Sequence, residues 1–141
     1  MTLIEKSLAI ALRAHAGAVD KAGRAYILHP LRLMAKMTID SEMSVALLHD
    51  VLEDSDITAS ELLAEGIPSI VVEAVLCLTK QADENYSDFV LRAKQNALAR
   101  KVKIADIEDN INVLRLSNLT DKDLVRIAKY HAAWQVLNET N

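Results

Sequence analysis

Apolar residues recur along this chain with the three-to-four-residue spacing of helices, and no segment sustains the period-two alternation of a half-buried strand. Ile4, Leu8, Ala11, His15 and Val19 share one stripe, which predicts a first helix from about Leu3 to Val19. A loop from Asp20 to Leu28 follows. Pro30 suits the first position of a helix over Leu31 to Met37, with His29 just before it. Asp40 or Ser41 can cap the next helix, which runs through Ala46-Leu47-Leu48-His49-Asp50-Val51-Leu52-Glu53-Asp54. Thr58 and Glu61 have capping-box spacing for a short helix ending near Gly66, and Pro68 opens another over Ser69 to Leu78. The polar stretch Thr79 to Ser87 reads as a loop. Helices are predicted again from about Asp88 to Leu116, broken near Ala97, and from Asp121 to Asn138. The expected fold class is all-α, a compact helical bundle forming one domain over residues 1–141.

Two of these helices violate the usual separation of apolar and charged faces. The segment around His49 is apolar on nearly every side and should lie inside the protein. Yet His49, Asp50, Glu53 and Asp54 fall in one stripe about 140° wide when a helix advances roughly 100° per residue. Asp50 and Asp54 are a like-charge pair four residues apart, unfavourable even in water, and unpaired burial would cost several kcal/mol for each charge. The helix around Ile104 repeats the anomaly. Glu108, Asn112 and Arg115 form its solvent face, whereas Asp106 and Asn110 project to the opposite side, between Val102 and Val113 on one edge and Ile107 and Leu114 on the other. Lys103 borders the same strip. A chain retains such carboxylates inside only if something positive sits among them, and a divalent cation is the simplest candidate.

The composition narrows the chemistry. Only 3 glycines, 2 prolines and 4% aromatic residues accompany an abundance of Ala, Leu and Ile, which favours helix over sheet. The net charge of -4, with no long basic run, gives no reason to expect binding to nucleic acid or a membrane surface. The single cysteine, Cys77, excludes an intrachain disulfide and a cysteine-based metal cage. No apolar run approaches the length of a membrane span, and Glu5 and Lys6 stand where a signal peptide would need apolar residues, so a cytoplasmic location is expected.

The candidate metal ligands are His29, His49, Asp50 and Asp106. Two imidazoles and two carboxylates suit Mn, Fe, Co or Zn better than Mg. Four protein ligands on an ion that prefers six leave positions for water and substrate, and bound water becomes a nucleophile near neutral pH. The other conspicuous side chains have ordinary readings. His15 reads as a satisfied core histidine, with the rim of the site as the alternative; His131 reads as packing with Leu124, Ile127 and Trp134; Cys77 as a small buried hydrophobe; Tyr86 as an exposed loop residue.

Together these residues resemble a known family. His29-Pro30, then Leu48-His49-Asp50-x-x-Glu53-Asp54, then Val102-Lys103-Ile104-Ala105-Asp106-x-x-x-Asn110 are similar to the HD superfamily of metal-dependent phosphohydrolases. More narrowly, with His15-Ala16-Gly17 and Gly23-Arg24-Ala25-Tyr26-Ile27-Leu28-His29-Pro30, the chain resembles the hydrolase domain of RelA/SpoT enzymes and its stand-alone small relatives. The resemblance covers about residues 8–116. It implies bound Mn²⁺ and removal of the 3′-diphosphate from (p)ppGpp, giving GDP or GTP and pyrophosphate. By position it makes His29, His49, Asp50 and Asp106 the metal ligands and Glu53 and Asp54 the catalytic acidic pair. It makes Asn110 a nucleotide contact, and Lys21, Arg24 and Lys103 candidates for phosphate. The family's synthetase domain has no counterpart within these residues, so the expectation is degradation alone, by a monomer or a homodimer. Two positions depart from the family pattern: Ala25 precedes the tyrosine where a proline is usual, and Asp20, with Lys21 beside it, matches a position expected to be basic. The alternatives are an HD phosphohydrolase acting on another nucleotide and a catalytically silent nucleotide-binding sensor.

Overall fold

A computed structural model describes residues 1–140. The secondary structure among them is helical, apart from one isolated antiparallel bridge between Val19 and Ala25. Helix α1, Leu3–Ala14, begins at a reciprocal cap: Thr2 Oγ1 accepts from the Glu5 N–H and Glu5 Oε1 accepts from the Thr2 N–H. It stops five residues short of the predicted end, because Gly17 adopts φ +79°, a left-handed conformation that an L side chain resists. The released chain forms the loop that leads to α2, Leu28–Ala35. His29 and Pro30 lie inside the first turn of α2 rather than before it, where proline's missing N–H has no helical partner to lose.

Helix α3, Asp40–Leu48, is the centre of the molecule. Val45, Ala46, Leu47 and Leu48 are all fully buried, and α1, α2, α6 and α8 pack against it. Full burial of each Leu or Val here is worth about 1.5–3 kcal/mol. The expected continuous helix through Asp54 is broken. α3 ends at Leu48, His49 and Asp50 form a turn with Asp50 at φ -104° and ψ 0°, and α4 resumes over Val51–Asp54. The His49 ring takes the Ala46 carbonyl as its own partner. The break changes the expected burial: His49 is buried and Asp50 half-buried, but Glu53 and Asp54 are exposed at the surface and not inside.

The short α5, Ala59–Ala64, has the capping box expected of Thr58 and Glu61. α6, Ser69–Cys77, follows Pro68 and buries Val71, Ala74 and Val75 completely. Cys77, at its end, is only half-buried. α7, Tyr86–Lys94, begins within the stretch read as loop, so Tyr86 is the first residue of a helix and half-buried. The remaining loop is held by Arg92, whose guanidinium donates to Glu84 at 2.8 Å and to the Leu76 and Thr79 carbonyls at 2.9 and 2.8 Å.

The break expected near Ala97 is real: Asn96 caps α8, Ala97–Asn110, through its side chain. α8 ends at Asn110, earlier than expected, and Val113–Arg115 forms a 3-10 turn that leaves Leu114 exposed. α9, Asp121–Asn138, matches its predicted bounds and closes a second cluster with Val90, Ile107, Ala133 and Leu137. His131 and Leu124 on this helix are exposed, which corrects the expectation that they pack. Among the described residues no helix is long and apolar enough to cross a membrane.

Candidate metal centre

Helices α2 and α8 and the α3–α4 turn meet at one point, and each contributes to it. His29 comes from the first turn of α2, His49 and Asp50 from the turn, and Asp106 from the buried face of α8. One ligand atom from each of His29, His49 and Asp50 lies within 4.8 Å of the others. Asp106 Oδ1 is 2.9 Å from His29 Nε2 and 3.5 Å from His49 Nε2. The four residues proposed as ligands are therefore brought together.

The arrangement of lone pairs tests whether they fit an ion. His49 Nδ1 lies 2.7 Å from the Ala46 carbonyl, which can only accept, so Nδ1 carries a proton. In the neutral ring Nε2 then presents a lone pair. This Nε2 is buried with no hydrogen-bond partner, although Asp50 Oδ2 is 3.1 Å away. His29 Nδ1 lies 2.6 Å from Asp109 Oδ2. Asp109 also accepts from Arg32 Nε and NH2 at 2.8 and 2.9 Å and from Arg115 NH1 at 3.2 Å, so its carboxylate is ionised and His29 Nδ1 must be the donor. A second Nε2 lone pair thus faces Asp106. Lone pairs of two imidazoles and two carboxylates pointing at one another require a positive centre between them, and a histidine whose other nitrogen is fixed by a carbonyl or carboxylate is the usual form of a metal ligand. The residues present fit a divalent ion.

The titration behaviour has the same origin. Burial alone would lower the pKa of both histidines, but Asp106 and Asp109 raise His29, and Asp50 and Asp106 raise His49 well above its ordinary value. Burial would raise Asp106, but Lys103 and the two histidines hold it well below the usual range. In each case the groups that meet here favour positive charge at the same point.

Around this centre the remaining residues take distinct places. Lys103 is buried and donates to Asp106 Oδ2 at 3.1 Å, with its ammonium 5.0 Å from the Phe89 ring centroid. The Asn110 amide donates to Asp106 Oδ1 at 2.9 Å. Both hold the carboxylate of Asp106. Exposed Glu53 accepts from the Lys80 N–H at 2.7 Å, which ties it to the loop stapled by Arg92. Asp54 is pushed up to about 6, first by partial burial and then by Asp50 and Glu53. Lys21 lines a cavity of about 290 Å³ together with Tyr26, His29, Arg32, Asn110 and Arg115. Arg24 is exposed and is not among the residues lining that cavity. Its backbone N–H, with that of Ala22, donates to Asp20 Oδ1, so the aspartate at the position expected to be basic organises the loop.

Sequence reasoning missed four partners. Asp109, Arg32 and Arg115 are described above; the fourth is Tyr26, whose hydroxyl donates to Asp50 Oδ2. Asp109 had a signal: three residues after Asp106, it falls about 60° away on the same side of the helix. His15 is buried against Tyr26, with ring centroids 4.7 Å apart, but its Nε2 has no partner, so it is not the satisfied core histidine expected. Burial lowers its pKa.

No protein-family model matches the chain. It is 35% identical over 126 aligned positions to a guanosine-3′,5′-bis(diphosphate) 3′-pyrophosphohydrolase of Vibrio cholerae, covering 79% of this chain and 18% of that protein. The resemblance to the RelA/SpoT-type hydrolases holds. An enzyme of the same name from Aquifex aeolicus is 28% identical over 96% of this chain and 22% of its own length. The chain therefore spans about a fifth of the length of these RelA/SpoT-type relatives. Among solved structures, a metazoan SpoT ortholog that hydrolyses ppGpp superposes with a TM-score of 0.78 at 22% identity, over 100% of this chain and 88% of that one. The all-helical fold of the RelA/SpoT-type hydrolases is shared along the described length.

Proposed function

We propose that the chain is a metal-dependent phosphohydrolase that removes the 3′-diphosphate from (p)ppGpp, giving GDP or GTP and pyrophosphate. The observation that carries this reading is the convergence of His29, His49, Asp50 and Asp106, with both imidazoles oriented to offer Nε2 to one point. The names of the similar proteins support the substrate. The four ligands would hold Mn²⁺, with Fe, Co and Zn compatible with the same donors. When bound, such an ion supplies Lewis acidity and lowers the pKa of water.

The chain's own residues do the rest. Water attacks the phosphorus attached to the ribose 3′-oxygen; that P–O bond breaks, and the 3′-oxygen leaves with a proton. Glu53, positioned by the Lys80 N–H, and Asp54, whose carboxyl near pH 6 can gain or lose a proton, orient the water and carry that proton. Lys21, Arg32 and Arg115 on the cavity wall neutralise substrate phosphates, and Asn110 lies beside the nucleotide. Lys103 acts on charge through Asp106, and Arg24, exposed and outside the cavity wall, is given no contact with substrate. A nucleotide rather than a nucleic acid is the partner, and one domain performs the reaction as a monomer or homodimer.

A second reading, cleavage of a different nucleotide, is favoured by Asp20. Where the family pattern expects a cation to meet substrate, this chain has a carboxylate bound to the Ala22 and Arg24 N–H groups. Incubation of purified protein with ppGpp, with Mn²⁺ or with chelator, separates the readings. Metal-dependent pyrophosphate release that His49→Ala abolishes is expected. Orthophosphate release from a nucleoside monophosphate, with ppGpp untouched, would establish the second.

A further inference from the structure

Asp109 sits one residue before Asn110 on α8, outside the motif that supplies the metal ligands. Its carboxylate is buried, with a side-chain exposure of 6%, yet it makes an unusually complete set of bonds. Oδ2 accepts from His29 Nδ1 at 2.6 Å and from Arg32 NH2 at 2.9 Å; Oδ1 accepts from Arg32 Nε at 2.8 Å and Arg115 NH1 at 3.2 Å. The Asp109 backbone carbonyl accepts from Arg115 NH2 at 2.7 Å. Two arginines therefore fix the carboxylate's charge and orientation, and the one remaining direction points at the far nitrogen of His29.

We propose that Asp109 is a positioning residue for the metal centre: it locks His29 in the tautomer with the proton on Nδ1, so that Nε2 offers its lone pair to the ion. The inference rests on the reading of His29 as a metal ligand. The alternative tautomer would place a hydrogen on Nε2, aimed at the ion's position, and would leave two acceptors, Nδ1 and Asp109 Oδ2, in contact. A carboxylate behind a metal-bound imidazole also raises its basicity.

Asp109→Asn preserves shape and reverses one half of the site. Two charged donors converge on Oδ1 and one, from Arg32, on Oδ2, so the amide oxygen is held where Oδ1 stands; the amide NH₂ replaces Oδ2, gives up the Arg32 bond and faces His29 Nδ1. Nδ1 must then accept, and the proton moves to Nε2. The expected result is Mn²⁺ binding 10- to 100-fold weaker than wild type, read by titration with electron paramagnetic resonance. Ser7→Ala, remote from the site, controls for general destabilisation and should leave the affinity unchanged. Long-range ¹H–¹⁵N correlation on the wild type, metal-free at pH 9 and loaded with Zn²⁺, should show His29 protonated at Nδ1; this measurement stands even if Asp109→Asn does not fold. Equal Mn²⁺ affinity of Asp109→Asn and wild type, or a metal-free wild-type His29 protonated at Nε2 alone, overturns the positioning role while leaving the metal reading intact. A wild type that binds no Mn²⁺ overturns both.

Discussion

Asp54 provides a test in which the expected change is a gain. Its carboxyl titrates near 6 instead of 3.8, because partial burial and the charges of Asp50 and Glu53 disfavour ionisation. An acid raised in the folded state stabilises the fold fully below its unfolded pKa, and that contribution is lost as the pH rises through the folded value. For Asp54 the window runs from about 3.8 to about 6. The whole gap corresponds to about 3 kcal/mol, and because the side chain is exposed, solvent screening leaves about 1 kcal/mol. Asp54→Asn removes the ionisation and keeps the shape. Urea unfolding in the presence of chelator should find the variant and wild type equally stable at pH 4 and the variant about 1 kcal/mol more stable at pH 7, a rise of about 2–4 °C in Tm. The same variant should lose turnover, the exchange of stability for activity expected where a site concentrates like charges. A variant no more stable than wild type at pH 7 would refute the claim that Asp54 is held against its own charge.

Other consequences are equally direct. Glu53→Gln keeps an oxygen for the Lys80 N–H, so it should retain stoichiometric metal by elemental analysis while the rate falls about 10²- to 10⁴-fold; His49→Ala or Asp50→Asn should lose both metal and turnover. Ser7 and Ser44 share a 2.6 Å hydrogen bond between α1 and α3 with both residues fully buried, so Ser44→Ala should cost about 1–2 kcal/mol in urea unfolding, and the double variant Ser7→Ala/Ser44→Ala should recover most of it. His29 and His49, raised by their carboxylates, stabilise the metal-free fold at low pH and lose that contribution as the pH rises through their folded pKa values. The increase in Tm on adding Mn²⁺ should therefore be larger at pH 8 than at pH 5, and a larger increase at pH 5 would contradict the assignment of these imidazoles as ligands.

The helices were legible where local chemistry decides them. The Thr58–Glu61 box, Pro68 before Ser69, the break near Ala97 and the bounds of α9 all follow from caps and breakers that act within a turn or two. The discrepancies arise where distant contacts decide. No proline or glycine ends α3 after Leu48; the turn at His49 and Asp50 is held by the His49 ring on the Ala46 carbonyl, by the bond from Tyr26 and by the approach of α8. The same break turned Glu53 and Asp54 outward, which a wheel drawn through a continuous helix could not anticipate. α9 misled in the opposite sense, since Leu124 and His131 lie in solvent despite helical spacing.

The candidate site was legible for a different reason. A helical wheel locates charges that cannot be at the surface, and Asp106 on α8 is such a charge: its neighbours Ala105 and Ile107 are in the core. It cannot say how many positive groups answer them, because those come from other helices. Lys103 neutralises part of Asp106, and Arg32 and Arg115 hold Asp109 without contributing to the ligand set. Once these pairs are formed, the unanswered groups are the Nε2 atoms of His29 and His49 and the carboxylate oxygens of Asp50 and Asp106 that face them. Neutral donors such as Tyr26 and Asn110 reach only the carboxylates. The two imidazoles are left facing acceptors, and only protons or a cation can occupy that gap. The helical wheel therefore pointed to the need for a positive centre, and the folded geometry narrows its place to the space between α2, α8 and the α3–α4 turn.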